Sequence, residues 1–428
     1  MSTHRLLEAV PHARPPNPAR QSANVWLYLA ILAVLGATLF PSTATDIQSW
    51  SNCVICGERG VADAILNVAL FVPLGAALAL RGWSGLRACL PAALLSSAIE
   101  LAQLFIPGRD SSLGDVLFNT SGALLGNAIA QVAPFWLRPP GTSSDRLAFA
   151  ATTVTVVLFA LTGFLLQPSP PQAVYYGQWT ANLGHLAWYR GRVMAAALGQ
   201  EPLPSRRLLH SDLVRELLLA GAPLHVRGIA GPRVTALAPL LSIYDDRQRE
   251  VMLIGPDRDD LVFRYRTRAA DLRLDQPDVR VPGALRDRQS GDTLEITTLG
   301  RVPRLCLVTN GRPACQLGFT IGQGWGLLIY PEGLPAWLRV VFNAVWMAGL
   351  VLPAGYWAQS RGAVLACVAA LAASLAAIPL ATGLLPCPLR EVTAAAGGLL
   401  LGVAFRSRIT AGGIMVSARL LARDRRAL

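Results

Sequence analysis

The chain has 428 residues, 53% of them hydrophobic and only 15% charged, with a mean hydropathy of +0.42. A soluble domain carries about a quarter charged residues, so this composition excludes one. Long apolar runs flank one polar block, roughly 170–335, which predicts a polytopic membrane protein with a soluble insert. The net charge is +12 with no lysine, and many of the arginines sit in short loops between apolar runs. That placement orients helices and argues against nucleic acid as a partner.

In chain order, a polar segment at 1–23, rich in proline and arginine, precedes the first apolar run. It favours an uncleaved anchor over a signal-peptide core. Eight runs are close to the ~20 residues that a crossing helix needs: 24–42, 61–80, 86–106, 113–134, 146–166, 335–357, 363–385 and 389–405. Arg5, Arg14 and Arg20, then Arg81 and Arg87, Arg138 and Arg146, Arg361, and the basic tail after Arg406 all fall on one side of these runs. The positive-inside rule makes that side cytoplasmic, with both termini inside and 167–334 extracytoplasmic. The tail 406–428 reads as a solvated orientation signal rather than as a basic helix lying on the inner leaflet.

The insert reads as β, because "LHVRGI", "PLLSIYD", "REVMLIG", "DLVFRYRTR", "LEITTL" and "RLCLVTN" are short, β-branched and bounded by turn residues. Asn310-Gly311 is a two-residue hairpin turn. Counting back from it pairs Thr309 with Arg312, Val308 with Pro313, Leu307 with Ala314, and Cys306 with Cys315, which predicts a cross-strand disulfide. The run "ALAPLLSIYDDRQREVMLIGPDRDDLVFRYRTR" and the later "LCLVTNGRPA" resemble concanavalin A-like (laminin-G-like) jelly-roll domains. The resemblance implies a glycan or protein ligand without choosing between them. Asp245, Asp246, Asp257, Asp259 and Asp260 read as solvated turn acids rather than calcium ligands.

Three of the membrane runs each carry a polar stripe, which cannot face lipid. Asp63 and Asn67 share a face at i and i+4. Ser96, Glu100, Gln103 and Pro107 repeat the pattern, as do Asp115, Asn119, Gly122 and Gly126. With Glu100 ~9 Å below the outer loop, the expectation is one outward-opening cavity lined by Asp63, Asn67, Glu100, Gln103, Arg109, Asp115 and Asn119, with Arg109 reaching down to the acids. These residues, with Phe71, Pro73 and Gly75, resemble the VanZ-like family over about 24–135. The resemblance implies a bacterial envelope protein, and founding members of that family are linked to low-level teicoplanin resistance. A second echo is internal: "EVTAAAGGLLLG" lines up with "DVLFNTSGALLG", placing Glu391, Gly398 and Gly402 at Asp115, Gly122 and Gly126, and Ala395 at Asn119. Asn343 then echoes Asn67, and 335–405 reads as a degenerate repeat.

Cys53-x-x-Cys56 reads as a disulfide or redox pair; there is no metal signature, no phosphate loop and no nucleophile elbow, so no cofactor is predicted. Three readings of the polar cluster follow. It is helix-to-helix glue; or it binds a membrane lipid or lipid-linked cell-wall component; or it is catalytic, with Glu100 as acid or base and Arg109 holding an anionic group.

Overall fold

The computed structural model describes residues 18–39, 50–51, 53–55, 57–107, 109, 111–184, 186–300 and 304–411. The expectations for Arg5, Arg14, Cys56 and the tail beyond 411 lie outside them. The chain divides into two compact units. One holds the first segment to Cys56 together with Ala64–Arg138; the other holds Gly57–Asp63 and Pro139–Ala411.

The first unit comprises helix α1 (Pro18–Thr38), strand β1 (Trp50–Ser51), most of α2 (Gly60–Leu80), α3 (Leu86–Gln103), β2 (Ser111–Ser112), α4 (Leu113–Gln131) and a short α5 (Ala133–Leu137). Its core is apolar and small-residue-rich, built on Val34, Phe71, Leu74, Ala88, Ala92, Ile99 and Ala123. On α3 the opposite face exposes Leu86, Leu90, Leu94 and Leu101. This is the face that lipid covers in a membrane helix. α2 and α4 are in backbone contact: a Cβ at Gly122, Gly126 or Gly75 would overlap the carbonyl of Val68, Val72 or Ala123.

The second unit opens with α6 (Gly141–Leu165) and closes with α9 (Ala336–Trp357), α10 (Arg361–Thr382) and α11 (Leu389–Ala411). Between them lie β3 (Tyr175–Trp179), β4 (Arg192–Leu198), β5 (Glu201–Pro202), α7 (Ser211–Ala220), β6 (Leu224–Ile229), β7 (Leu241–Asp245), β8 (Glu250–Asp257), β9 (Asp260–Tyr265), α8 (Arg268–Asp271), β10 (Val279–Val281), β11 (Thr293–Leu299), β12 (Leu305–Thr309) and β13 (Arg312–Leu317). The strands form two antiparallel sheets, in the orders β10-β9-β8-β7-β3 and β13-β12-β11-β6-β4-β5. Both sheets feed one apolar core: Ile243, Met252, Ile254 and Phe263 come from the first, and Val193, Val226, Leu294 and Leu307 from the second. That core runs on into Phe159, Met347 and Val351 of the helices, so the β domain and its supporting helices share one hydrophobic interior.

Each of the eight apolar runs is a helix. Among the described residues, four are long and apolar enough to cross a membrane by length and composition: Gly60–Leu80, Gly141–Leu165, Ala336–Trp357 and Arg361–Thr382. The described apolar part of α1, Ser22–Thr38, is shorter, and α3, α4 and α11 carry the polar stripes and charges that dilute them.

At the Asn310-Gly311 turn the ladder pairs Thr309 with Arg312, Val308 with Pro313, and Leu307 with Ala314. A bulge follows, with Gln316 in the left-handed region. Cys306 and Cys315 are joined as a disulfide, their Cα atoms 4.0 Å apart. Cys53 is also disulfide-bonded. The turn acids are engaged by arginine: Asp245 takes Arg249 Nε at 2.7 Å, Asp257 and Asp260 hold Arg280, and Asp259 lies 3.3 Å from Arg233.

The glycine contacts recur in the second unit. Gly398, Gly402 and Gly355 abut the carbonyls of Ala348, Leu352 and Leu399. Asn343 precedes Gly355 by the same interval as Asp63 precedes Gly75. The contacts therefore place Asn343 at the Asp63 position, not at Asn67 as the sequence suggested.

Candidate functional site

The site in the first unit is built where α3 and α4 meet beneath β2. Ser112 ends β2 and caps α4: its Oγ accepts the Asp115 N–H at 3.0 Å. The carboxylate of Asp115 in turn accepts from Asn67 Nδ2 of α2 at 2.5 Å. Ser112 also donates its own N–H to Glu100 Oε2 at 3.0 Å, and Ser111 Oγ donates to the Glu100 carbonyl at 2.6 Å. A continuous chain of hydrogen bonds thus runs Glu100–Ser112–Asp115–Asn67 and crosses three helices. β2 is held over it by parallel pairing with β1, Trp50 opposite Ser111 and Ser51 opposite Ser112. One turn further along both helices, Asn119 Nδ2 donates to Ser96 Oγ at 2.9 Å.

Glu100 and Asn119 are almost fully buried, at 2% and 1% exposure. Buried polar groups are ordinarily hydrogen-bonded, yet Asn119 Oδ1 is buried with no partner. Reversing the amide would leave its NH2 end open instead. Gln103 Oε1 is in the same state.

Of the seven residues expected to share one cavity, Asn67, Glu100, Asp115 and Asn119 do converge. Three correct the expectation. Gln103 Nε2 donates to Thr38 O at 2.9 Å, and Arg109 Nη2 to Ala37 O at 3.1 Å. Both close the C-terminal end of α1, whose last carbonyls have no partner within the helix. Arg109 is accordingly not a partner of Glu100, whose carboxylate is held by Ser112. Asp63 is exposed, one turn before Asn67, and falls with the second unit, where Arg59 is its neighbouring charge.

Ser111, Ser112 and Asn127 were not anticipated. Ser112-x-x-Asp115 is a helix-start signature that would have flagged Ser112. Asn127 is buried and donates to Gly75 O and Trp83 O, closing the end of α2; only the folded chain brings that end within reach.

Residues 20–134 match the VanZ/LLP1 family model. The VanZ/LLP1 region spans α1 to α4 and stops short of the β domain. It indicates a bacterial envelope-related membrane family. No curated protein and no solved structure matches this chain.

Proposed function

We propose that the VanZ/LLP1 region recognises a polar outer-leaflet or cell-wall-related ligand through Glu100, Asp115, Asn67 and Asn119. The carrying observation is the open valence at Asn119. Within the cluster that joins α2, α3 and α4, Asn119 is 1% exposed and its Oδ1 has no partner. A buried acceptor beside Glu100 and Asp115 suits a ligand bearing O–H or N–H donors, such as a lipid-linked wall precursor. Catalysis by Glu100 would have to proceed without Arg109 as its anion clamp, since Arg109 is engaged at α1.

Glu100→Gln keeps shape and one acceptor but removes the charge. It should insert and fold like wild type, yet lose a co-purifying polyprenyl-linked species in native mass spectrometry, and lose any teicoplanin tolerance the protein confers. If the cluster is glue alone, Glu100→Gln is silent in both assays and only Glu100→Leu lowers stability.

The same proposal places the protein in the cell membrane with eight crossings, both termini cytoplasmic, and the 167–334 block outside as a concanavalin A-like domain with a glycan or protein partner. The Tyr244-Asp245 hairpin between β7 and β8 supports that likeness. Protease added to intact spheroplasts should cut this block, and soluble wall glycan should slow the cut. Protection of the block while the C-terminal tail is cleaved would reverse the orientation.

The second helix set is part of the proposal, as a diverged copy of the first. Buried Ala363, Cys367, Leu371 and Ser374 of α10 repeat the spacing of Ala88, Ala92, Ser96 and Ile99 of α3. On that register Leu371, Leu375 and Ala395 replace Ser96, Glu100 and Asn119, and they line an apolar cavity of about 720 Å³. The recognition proposed for Glu100 and Asn119 therefore has no counterpart at the matching positions of the second set.

A further inference from the structure

A second cavity, of about 470 Å³, lies in the second unit where the β domain meets α9 and α11. Its walls include Arg280, Arg339, Arg390, Gln323, Trp325 and Asn343. Arg339 is in the first turn of α9 and Arg390 in the first turn of α11. Among the described residues neither forms an ion pair or a side-chain hydrogen bond. The third arginine, Arg280, is held by Asp257 and Asp260, and its Nε is buried without a partner.

Among the described residues no carboxylate is ion-paired with Arg339 or Arg390, although Arg390 is a neighbouring charge of Glu391. Asp278 on the cavity wall is taken by Arg264 Nε at 2.5 Å and by Tyr330 OH at 2.8 Å. Glu391 is buried behind Asn343 and bonded to Thr320 and Gly322. Three arginines thus line one concavity, and among the described residues Asp278 and Glu391 beside it already have other partners. Arg is the side chain best matched to a tetrahedral oxyanion, through its forked donors.

The cavity also sits at a defined level. α9 is an apolar helix long enough to cross a membrane, and Trp337 in its first turn is exposed. Interfacial tryptophan marks the headgroup layer. We infer that this cavity is a binding site for a phosphate-type oxyanion at the membrane surface beneath the β domain, either the phosphate of a lipid headgroup or a free phosphate. The site is separate from the Glu100 cluster and does not depend on that cluster's function.

The test uses the full-length protein in detergent, titrated with phosphatidylglycerol by native mass spectrometry and with inorganic phosphate by calorimetry. Wild type should bind at least one probe, and Arg339→Gln/Arg390→Gln should weaken it about tenfold or more, as expected for losing two charge-assisted contacts. Lipid binding without phosphate binding identifies a headgroup; phosphate binding of similar strength identifies a soluble anion. Arg361→Gln/Arg408→Gln, the same charge change at the first turn of α10 and the last turn of α11, should leave binding intact, as should Glu100→Gln. Should the double variant fail to fold, the exposed Arg390→Gln alone must weaken binding. The inference is overturned if wild type binds neither probe, or if the two double variants weaken binding equally.

Discussion

Gly126→Ala and Gly398→Ala should each destabilise the protein by more than ~3 kcal/mol, while Gly397→Ala should be neutral or stabilising by about 0.5–1 kcal/mol. A Cβ at Gly126 would overlap the Val72 carbonyl, and one at Gly398 the Ala348 carbonyl; at Gly397 there is nothing within 4 Å. The obstructing atoms are backbone, so no side chain can rotate away and the helices themselves must separate. Small residues allow close helix approach in membranes because packing, not water exclusion, is what holds the helices together there. At Gly397 the substitution only removes the entropic penalty of glycine inside a helix. Thermal unfolding in detergent, followed by tryptophan fluorescence, reads all three. Equal effects at Gly397 and Gly398 would refute the packing, and a tolerated Gly126→Ala would show that α2 and α4 are not in backbone contact.

Glu391→Leu should cost at least ~3 kcal/mol, taking about 1–3 kcal/mol for each of the three buried donors left stranded. Glu391 is 1% exposed. Its Oε1 accepts from Thr320 Oγ1 at 2.6 Å and from Asn343 Nδ2 at 3.4 Å, and its Oε2 accepts the Gly322 N–H at 3.1 Å. Asn343 Oδ1 accepts from Trp325 Nε1 at 2.6 Å, so one carboxylate ties the 3-10 turn Ile321–Leu327 to α9 and α11. Leucine leaves the Thr320, Gly322 and Asn343 donors facing an apolar side chain. Glutamine can still accept from one side but presents N–H to the other, so Glu391→Gln should fall between wild type and leucine. Chemical unfolding followed at the β domain measures the order; a leucine variant as stable as wild type would show that the cluster contributes nothing.

Much of this molecule is set by local pattern. Apolar length placed the eight long helices, four of which are long and apolar enough to cross a membrane, because a run of about twenty apolar residues satisfies its own backbone most readily as a helix. Short β-branched runs bounded by turn residues placed β6, β7, β8, β9, β11 and β12, and the Asn310-Gly311 turn carried the register that brings Cys306 to Cys315. The Asp-x-x-x-Asn spacing put Asp115 and Asn119 on one helical face, since i and i+4 always share one.

Other features needed the folded chain. β4, "RVMAAAL", is alanine-rich with weak strand propensity, and it is a strand because it pairs with β6 and β5. Nothing local tells Gln103 from Glu100 as a site residue; Gln103 goes to Thr38 and Glu100 to Ser112 because α1 ends beside one and β2 lies over the other. Arg109 likewise follows the Ala37 carbonyl rather than the nearby acids. Helical periodicity depends on neighbours in sequence and can be counted along the chain. The partner of a polar side chain depends on which distant backbone group is left unpaired within reach, and only the tertiary structure decides that.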